Sequence, residues 1–454
     1  MVSEWQQVKL KEITSKLGDG LHGTPNYSED GGYYFINGNN LSNGIIIFNE
    51  KTKRVDSIEF KKYKKELGDK TILVSINGTI GNIAYYNNEK IILGKSACYF
   101  NVDKDVDKRF VRYVLQDYRF QNYIDAFANG TTIKNVSLKT MREFEFSLPD
   151  SETQTKIANI LDGLDRKIQL NRQTNQTLEQ MAQALFKSWF VDFDPVIDNA
   201  LAAGNPIPDA LQARAQRRQQ QLAKPGHKPL PEAIRQHFPC EFEHSEALGW
   251  VPKGWKVETT KSISTTNSLS WSKKNAPESV DYVDLGNAKK GQISESKKYD
   301  FSEAPSRAKR ILELHDTIIG LVRPANRSFA YVDRPGLTGS TGFAVMKPNH
   351  KNLRAYLYLH LTRDEVVDEF ARIADGAAYP AIRPDVVTNQ VCLVPNDLIL
   401  AEFQKISGEK FERIRVNNHE IDTLSQVRDV LLPKLISGEL RIPDVQKEVS
   451  DAVA

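Results

Sequence analysis

Few residues in this chain of 454 are placed for catalysis. Gly94-Lys95-Ser96 has the ending of a phosphate-binding loop. The glycine that must open such a loop falls at Glu89, so the segment reads as an exposed turn or strand. Gly78-x-x-Gly81 follows an apolar run but lacks the G-x-G-x-x-G spacing of a dinucleotide site. The eight histidines contain no His-x-x-x-His pair and no zinc spacing. Cys98, Cys240 and Cys392 are too far apart for a metal knuckle, and their odd number argues against a disulfide framework. Pro149-Asp150 with Lys156 superficially resembles a nuclease carboxylate set, yet it stands at a helix start, where capping alone asks for an acid. No Asn-Pro-Pro-aromatic motif of an amino-methyltransferase occurs. No catalytic residue and no metal ligand is therefore assigned.

Binding chemistry is better represented. Lys51, Lys53, Arg54, Lys61, Lys62, Lys64 and Lys65 crowd one early segment. Arg307, Lys309, Arg310, Arg323, Arg327 and Arg334 crowd a later one, and Trp271-Ser272-Lys273-Lys274 adds an aromatic. Cations of this kind contact phosphates, and base edges are read by Arg, Asn or Gln. Each cluster is equally compatible with a solvated charged face. Two loops, Gly130–Ser137 with Lys134 and Asn135 and Gly376–Arg383 ending in Arg383, occupy equivalent places in the repeat described below. Both are DNA-contact candidates or plain structural turns.

The elements that must position these groups centre on residues 151–190. Ser151 with Gln154 fits a capping box, and no proline follows until Pro195. Ile157, Leu161, Leu164, Ile168, Asn171, Asn175, Leu178, Ala182, Leu185 and Trp189 step alternately by four and three, a heptad seam with a polar centre. About forty helical residues reach roughly 60 Å. A shift of 246 residues finds the stretch again: Ile168 falls on Ile414, Asn171 on Asn417, Leu178 on Leu424 and Leu185 on Leu431. The shift holds upstream, placing Ala128-Asn129-Gly130 on Ala374-Asp375-Gly376 and Thr71-Ile72 on Thr317-Ile318, and drifts until Trp5 meets Trp255. A tandem duplication of a globular unit followed by a long helix is the reading; chance similarity between α/β stretches is the alternative.

The predicted layout is a first globular domain over 1–150, a central helix over 151–192, a linker with one short polar helix over 193–250, a second domain over 251–396, a helix over 397–440 and a polar tail over 441–454. Within the first domain, 91–102 reads as one strand and 109–127 as one helix. The second long helix meets Pro433 and should kink or end there. The fold class is α/β (α+β), with two similar domains and two long helices packed as an antiparallel coiled coil about a pseudo-twofold axis. Antiparallel packing brings the two midpoints together, predicting that Asn171 meets Asn417. A net charge of +3 neither demands nor excludes nucleic acid. With no run of eighteen apolar residues and no signal peptide, no membrane span is expected, and a cytoplasmic chain fits. A two-headed molecule with a long spacer suits DNA, whose half-sites recur at about 34 Å. A diverged nuclease or methyltransferase and a scaffold that never touches DNA remain the competing classes.

At this point the chain resembles the specificity (S) subunits of type I restriction–modification systems. The resemblance rests on the two-unit layout, Trp5 and Trp255, Gly78-Thr79-Ile80-Gly81, Gly130-Thr131-Thr132, and Leu148-Pro149 leading to Gln154-x-x-Ile157-Ala158-x-Ile160-Leu161-x-x-Leu164-Asp165-x-Lys167-Ile168. The segments Trp189–Pro195 and Ser245–Trp255 look like one branch of that family. Leu400 in place of the helix-start glutamine, and Arg323-Pro324 in place of Asn77-Gly78, depart from it. The resemblance implies two target recognition domains for a bipartite double-stranded DNA sequence with an unread spacer. It implies helices that dock methyltransferase (M) subunits carrying S-adenosylmethionine, and restriction (R) subunits using ATP and magnesium. It implies no cofactor in this chain and no catalysis by it.

Overall fold

The computed structural model describes residues 5–42, 44–130, 133–226, 228–294 and 296–442. Its contacts divide the chain into two units, Met1–Leu170 with Glu420–Ala454, and Asn171–His419. The boundaries fall inside the two long helices, Ser151–Phe186 and Asp397–Ser437, rather than before them. Half of each helix thus belongs to the core of the globular body it accompanies.

In the first unit, four antiparallel strands lie in the order Thr14–Asp19, Ala97–Val102, Thr71–Ser75 and Ile83–Tyr85. Every residue of the inner strand Thr71–Ser75 is buried, which is why it reads as a continuous apolar run. A second sheet pairs Tyr33–Ile36 in parallel with Ile91–Leu93 and antiparallel with Arg54–Val55. Gln6–Lys9 closes the body against Glu145–Leu148. The core joins Phe110, Val111 and Val114 to Ile157, Leu161, Leu164 and Ile168 of the first long helix and to Leu424, Leu431 and Leu435 of the second. The helices run antiparallel here: Asp165 meets Arg428 at 3.0 Å and Lys167 meets Glu420 at 3.2 Å.

The second unit repeats this topology. Ser264–Thr266, Phe343–Pro348, Thr317–Gly320 and Phe329–Tyr331 lie in the same order, Ser279–Val283 pairs in parallel with Leu337–Ser340, and Lys256–Thr259 closes against Val391–Val394. Its core is more aromatic. Phe186, Trp189 and Phe190 pack on Tyr356 and Phe403, and the centroids of Phe190 and Phe403 lie 4.8 Å apart. Each buried ring contributes on the order of 1.5–3 kcal/mol of hydrophobic stabilisation. Antiparallel pairing holds in this unit too, with Asn175 against Asn417 and Phe186 against Phe403.

Several expectations need correction. Asp150, not Ser151, caps the first long helix: its carboxylate accepts from the Thr153 amide at 2.9 Å. Gln154 is buried and works elsewhere, accepting from the Asp107 amide at 2.9 Å and donating to the Pro149 carbonyl at 2.7 Å. In the second unit Leu400 fills that place, and Gln404, one turn later, accepts from the Ala355 amide at 2.9 Å. The segment 109–127 is two helices, Lys108–Gln116 and Tyr118–Ala126, because Asp117 stays extended and caps the second. Residues 91–102 form two strands in different sheets, split at Gly94-Lys95-Ser96. The second long helix carries Pro433 and continues to Ser437. The supposed linker is ordered structure of the second unit: helices Asp194–Ala203, Asp209–Leu222 and Glu232–Arg235, then a hairpin of Phe242–Ser245 and Gly249–Pro252. Phe193, Val196 and Phe238 of this segment join the core around Trp189 and Trp255. Thr131-Thr132 and all but the first two residues of the tail lie outside the described residues.

The duplication is also not gapless. Ile72 pairs with Tyr85 and Thr317 with Tyr331, so the strand Thr71–Ser75 maps onto the second unit with an offset of 245 while its neighbour keeps 246. One extra residue sits in the connecting loop of the second unit.

Candidate nucleic-acid interface

In the first unit the basic segment is laced with aromatic rings. The Lys53 ammonium stands 5.8 Å from the Tyr27 ring, and the Arg54 guanidinium lies 4.9 Å over Tyr34. Lys62 stands 4.8 Å over Tyr63, whose hydroxyl raises the ammonium pKa above its ordinary value. Lys61, Lys62 and Lys64 are exposed and Lys65 half-buried, on and just after the helix Ser57–Tyr63 that Asp56 caps. Ile58 on that helix and Tyr27 beside Lys53 are exposed. Such a cation-and-ring surface suits phosphates flanking stacked bases.

The glycine-rich turn and the loop before the long helix come together in both units. In the first, the Gly78 amide donates to the Lys134 carbonyl at 2.9 Å, and the Asn77 side chain donates to Asn135 at 3.1 Å. Lys134 also forms an ion pair with Asp125, which tempers its charge. In the second, the Arg323 amide donates to the Pro380 carbonyl at 2.6 Å. By these bonds Arg323 takes the place of Gly78, not of Asn77 as its position in the sequence suggests.

The remaining candidates of the second unit divide sharply. Arg323 and Arg383 are exposed, although Arg383 has Asp385 at 3.3 Å. Lys273 and Lys274 project from an exposed turn. Trp271 is committed to the fold, donating its indole N–H to Thr338 at 2.9 Å. Arg327 is paired with Asp364 at 2.6 Å and Asp368 at 2.8 Å, so its charge is spent inside the protein. Arg307 is held by Asp284 at 2.6 Å and Tyr282 at 3.0 Å, and burial lowers the pKa of Arg310. An open cleft of about 470 Å³ gathers Lys289, Arg307, Arg323, Asn326 and Tyr379. Tyr379 carries no charge and has only Ile133 as its counterpart, so residue types alone did not mark it; the repeat offset does.

The helix residues sit as follows. Ile157, Leu161, Leu164 and Ile168 are buried, as are Leu424 and Leu431, while Leu178, Leu185 and Ile414 are half-buried. Asn171 and Asn417 are both buried. Asn417, however, donates to Asn175 at 2.7 Å, and Asn175 donates to Asn418 at 2.7 Å; the partner of Asn417 is one turn beyond the expected one. Asn418 continues the chain to Asp333 at 2.7 Å. The first unit carries an ionic counterpart that patterning did not reveal. Buried Arg112 meets Asp165 at 2.7 Å, and the Tyr113 hydroxyl lies 2.9 Å from both Asp162 and Asp165, its one proton donated to either. Burial alone would raise the Asp165 pKa, but Arg112 and Arg428 hold it below the ordinary carboxylate value.

Among the described residues no group of three or more His, Cys, Asp or Glu could hold a metal ion, and no helix is long and apolar enough to cross a membrane. A twice-repeated α+β domain, each copy built around its part of two antiparallel long helices, defines the class of fold. Residues 2–180 match the type I restriction modification DNA specificity domain family. The chain is 28% identical to the type I restriction enzyme HindI specificity subunit of Haemophilus influenzae over 363 residues, 69% of this chain and 73% of that protein. It is 25% identical to the MjaIX specificity subunit of Methanocaldococcus jannaschii, over 97% of this chain and 95% of that one. The crystal structure of the S subunit from M. genitalium shares the fold, with a TM-score of 0.53 at 17% identity and 96% of each chain covered. The chain is thus similar, over nearly its whole length, to specificity subunits of type I restriction–modification systems.

Proposed function

We propose that this chain reads a bipartite double-stranded DNA target, one half by each unit, on behalf of methyltransferase subunits that dock on its helices. The observation that carries the reading is the repeated loop pair, present with the same main-chain bonds in both units, each of which also exposes cations. Cations fix a protein on the phosphates, and side chains at loop tips reach base edges. Similarity to specificity subunits supports the same role. On this reading the M subunits bring S-adenosylmethionine, restriction subunits bring ATP-dependent action with magnesium, and the chain itself holds no cofactor, catalyses nothing and works in the cytoplasm.

The test is direct. The purified chain should bind duplex DNA with an affinity that falls steeply with salt. It should neither methylate nor cut DNA when given S-adenosylmethionine and magnesium, and should support methylation once its M partner is added. Methyl transfer or cleavage by the chain alone would establish the diverged-enzyme reading. No salt-dependent binding, alone or with M, would leave a scaffold.

A further inference from the structure

Arg323 stands in a backbone conformation that costs the fold energy. Its φ is +50°, in the left-handed region where side chains with a Cβ are disfavoured, and its structural counterpart Gly78 has φ +77°. A non-glycine residue held there is of order 1–3 kcal/mol uphill and is characteristic of functional positions. One unit accepts the glycine that the turn asks for; the other, with one extra loop residue, installs an arginine.

The side chain is also aimed. Nη2 donates to the Ala378 carbonyl at 2.9 Å, and the guanidinium lies 4.5 Å over the ring of Tyr379. Tyr379 is 69% exposed, on the loop that the Arg323 amide anchors through Pro380. Guanidinium has five donors, and Ala378 takes one. The pair sits at the cleft that also gathers Lys289, Arg307 and Asn326. Arg327, four residues on, is bound by two carboxylates. The loop therefore presents one oriented arginine backed by a ring, with Lys289 beside it for the backbone.

Resting on the DNA-reading function above, we propose that Arg323, stacked on Tyr379, reads a guanine in the half-target recognised by the second unit. The guanidinium fork fits the O6 and N7 acceptors that guanine shows in the major groove, which no other base presents together. Lys289 would meet a flanking phosphate. The first unit has no side chain at the matching position, so this contact makes the two halves of the target unequal.

The test is methylation mapping in cells carrying the full chain with its M partner, as wild type and as Arg323→Ala, Arg323→Lys and Tyr379→Ala. The wild type must first yield a bipartite motif; if it yields none, the DNA-reading function itself fails, whatever Arg323 does. Given that motif, Arg323→Ala and Arg323→Lys should each relax one guanine in one half by about 10- to 100-fold in discrimination, leaving the other half unchanged. Tyr379→Ala, an exposed change that leaves the core untouched, should relax the same position more weakly. Lysine restoring the wild-type motif would mean that the planar guanidinium fork is not what reads the base, and would overturn the proposal. So would an unchanged motif in Arg323→Ala, or a uniform loss at all positions in a variant whose melting temperature matches wild type.

Discussion

At the scale of single residues, burial and pairing decide what each charged group can do. Arg323 and Arg327 are four positions apart in one loop, yet one faces an open cleft and the other is neutralised by Asp364 and Asp368. Sequence marks both as basic; only their partners separate them. His360 shows the same rule for a titrating group. Enclosed by Phe186 and Tyr356, its imidazole is held down to about 3 by burial, with Arg363 adding to the shift. Its folded pKa lies below the unfolded value near 6.5, so the unfolded chain takes up the proton first. The second unit should therefore keep full stability above pH of about 6.5 and lose it as pH falls towards 3, by up to about 1.4 kcal/mol per pH unit from this group. His360→Phe should flatten that acid limb in denaturant titrations of the full chain. Parallel limbs for the two proteins between pH 6 and 4 would show that another group sets the slope.

At the scale of elements, the long helices were legible because ten positions in strict four–three alternation leave few alternatives. Their fine structure was not. The cap moved to Asp150 because its carboxylate reaches the Thr153 amide, while Gln154 is drawn into the body to bind Asp107. The break at Asp117 was hidden because helical spacing continues through it on both sides. The register of the repeat slipped by one residue in a strand, since identities that sparse cannot locate a single insertion. Register in the helix pair of the second unit rests on Asn175 and Asn417, which bond each other in the polar centre of the seam beside buried Asn171. Asn417→Leu alone leaves Asn175 without its donor and should cost about 1–3 kcal/mol. Adding Asn175→Leu should recover part of that loss, because two leucines pack where the Asn417 amide met the Asn175 oxygen, while Asn418 loses the bond it accepted from Asn175. A double-mutant cycle from denaturation midpoints measures the coupling. Simple additivity of the two single losses would show that the amides do not act as a pair.

At the scale of the whole chain, the duplication suggests that each body can be exchanged as a module, but the units are not cut where sequence places the boundary. Replacing 1–150 with the corresponding domain of a relative should change one half of the methylated target and leave the other intact, since each unit has its own core and its own copy of the loop pair. The structure adds a condition. The first body is fastened to its helices by Arg112 on Asp165, by Tyr113 on Asp162 and by Arg109 on Asn159 and Asp162. A donor lacking these partners leaves Asp165 buried beside Arg428 alone, and removing one side of a buried ion pair costs about 3–5 kcal/mol. Exchange of 1–150 alone should therefore succeed when the donor keeps Arg112 and Tyr113. With other donors it should need 151–170 and the paired residues of the second helix from 420 onward to travel with it. Methylation mapping of the two kinds of chimaera, alongside their thermal stability, separates the cases. A folded chimaera whose motif changes in both halves, or in neither, would show that the two units do not read independently.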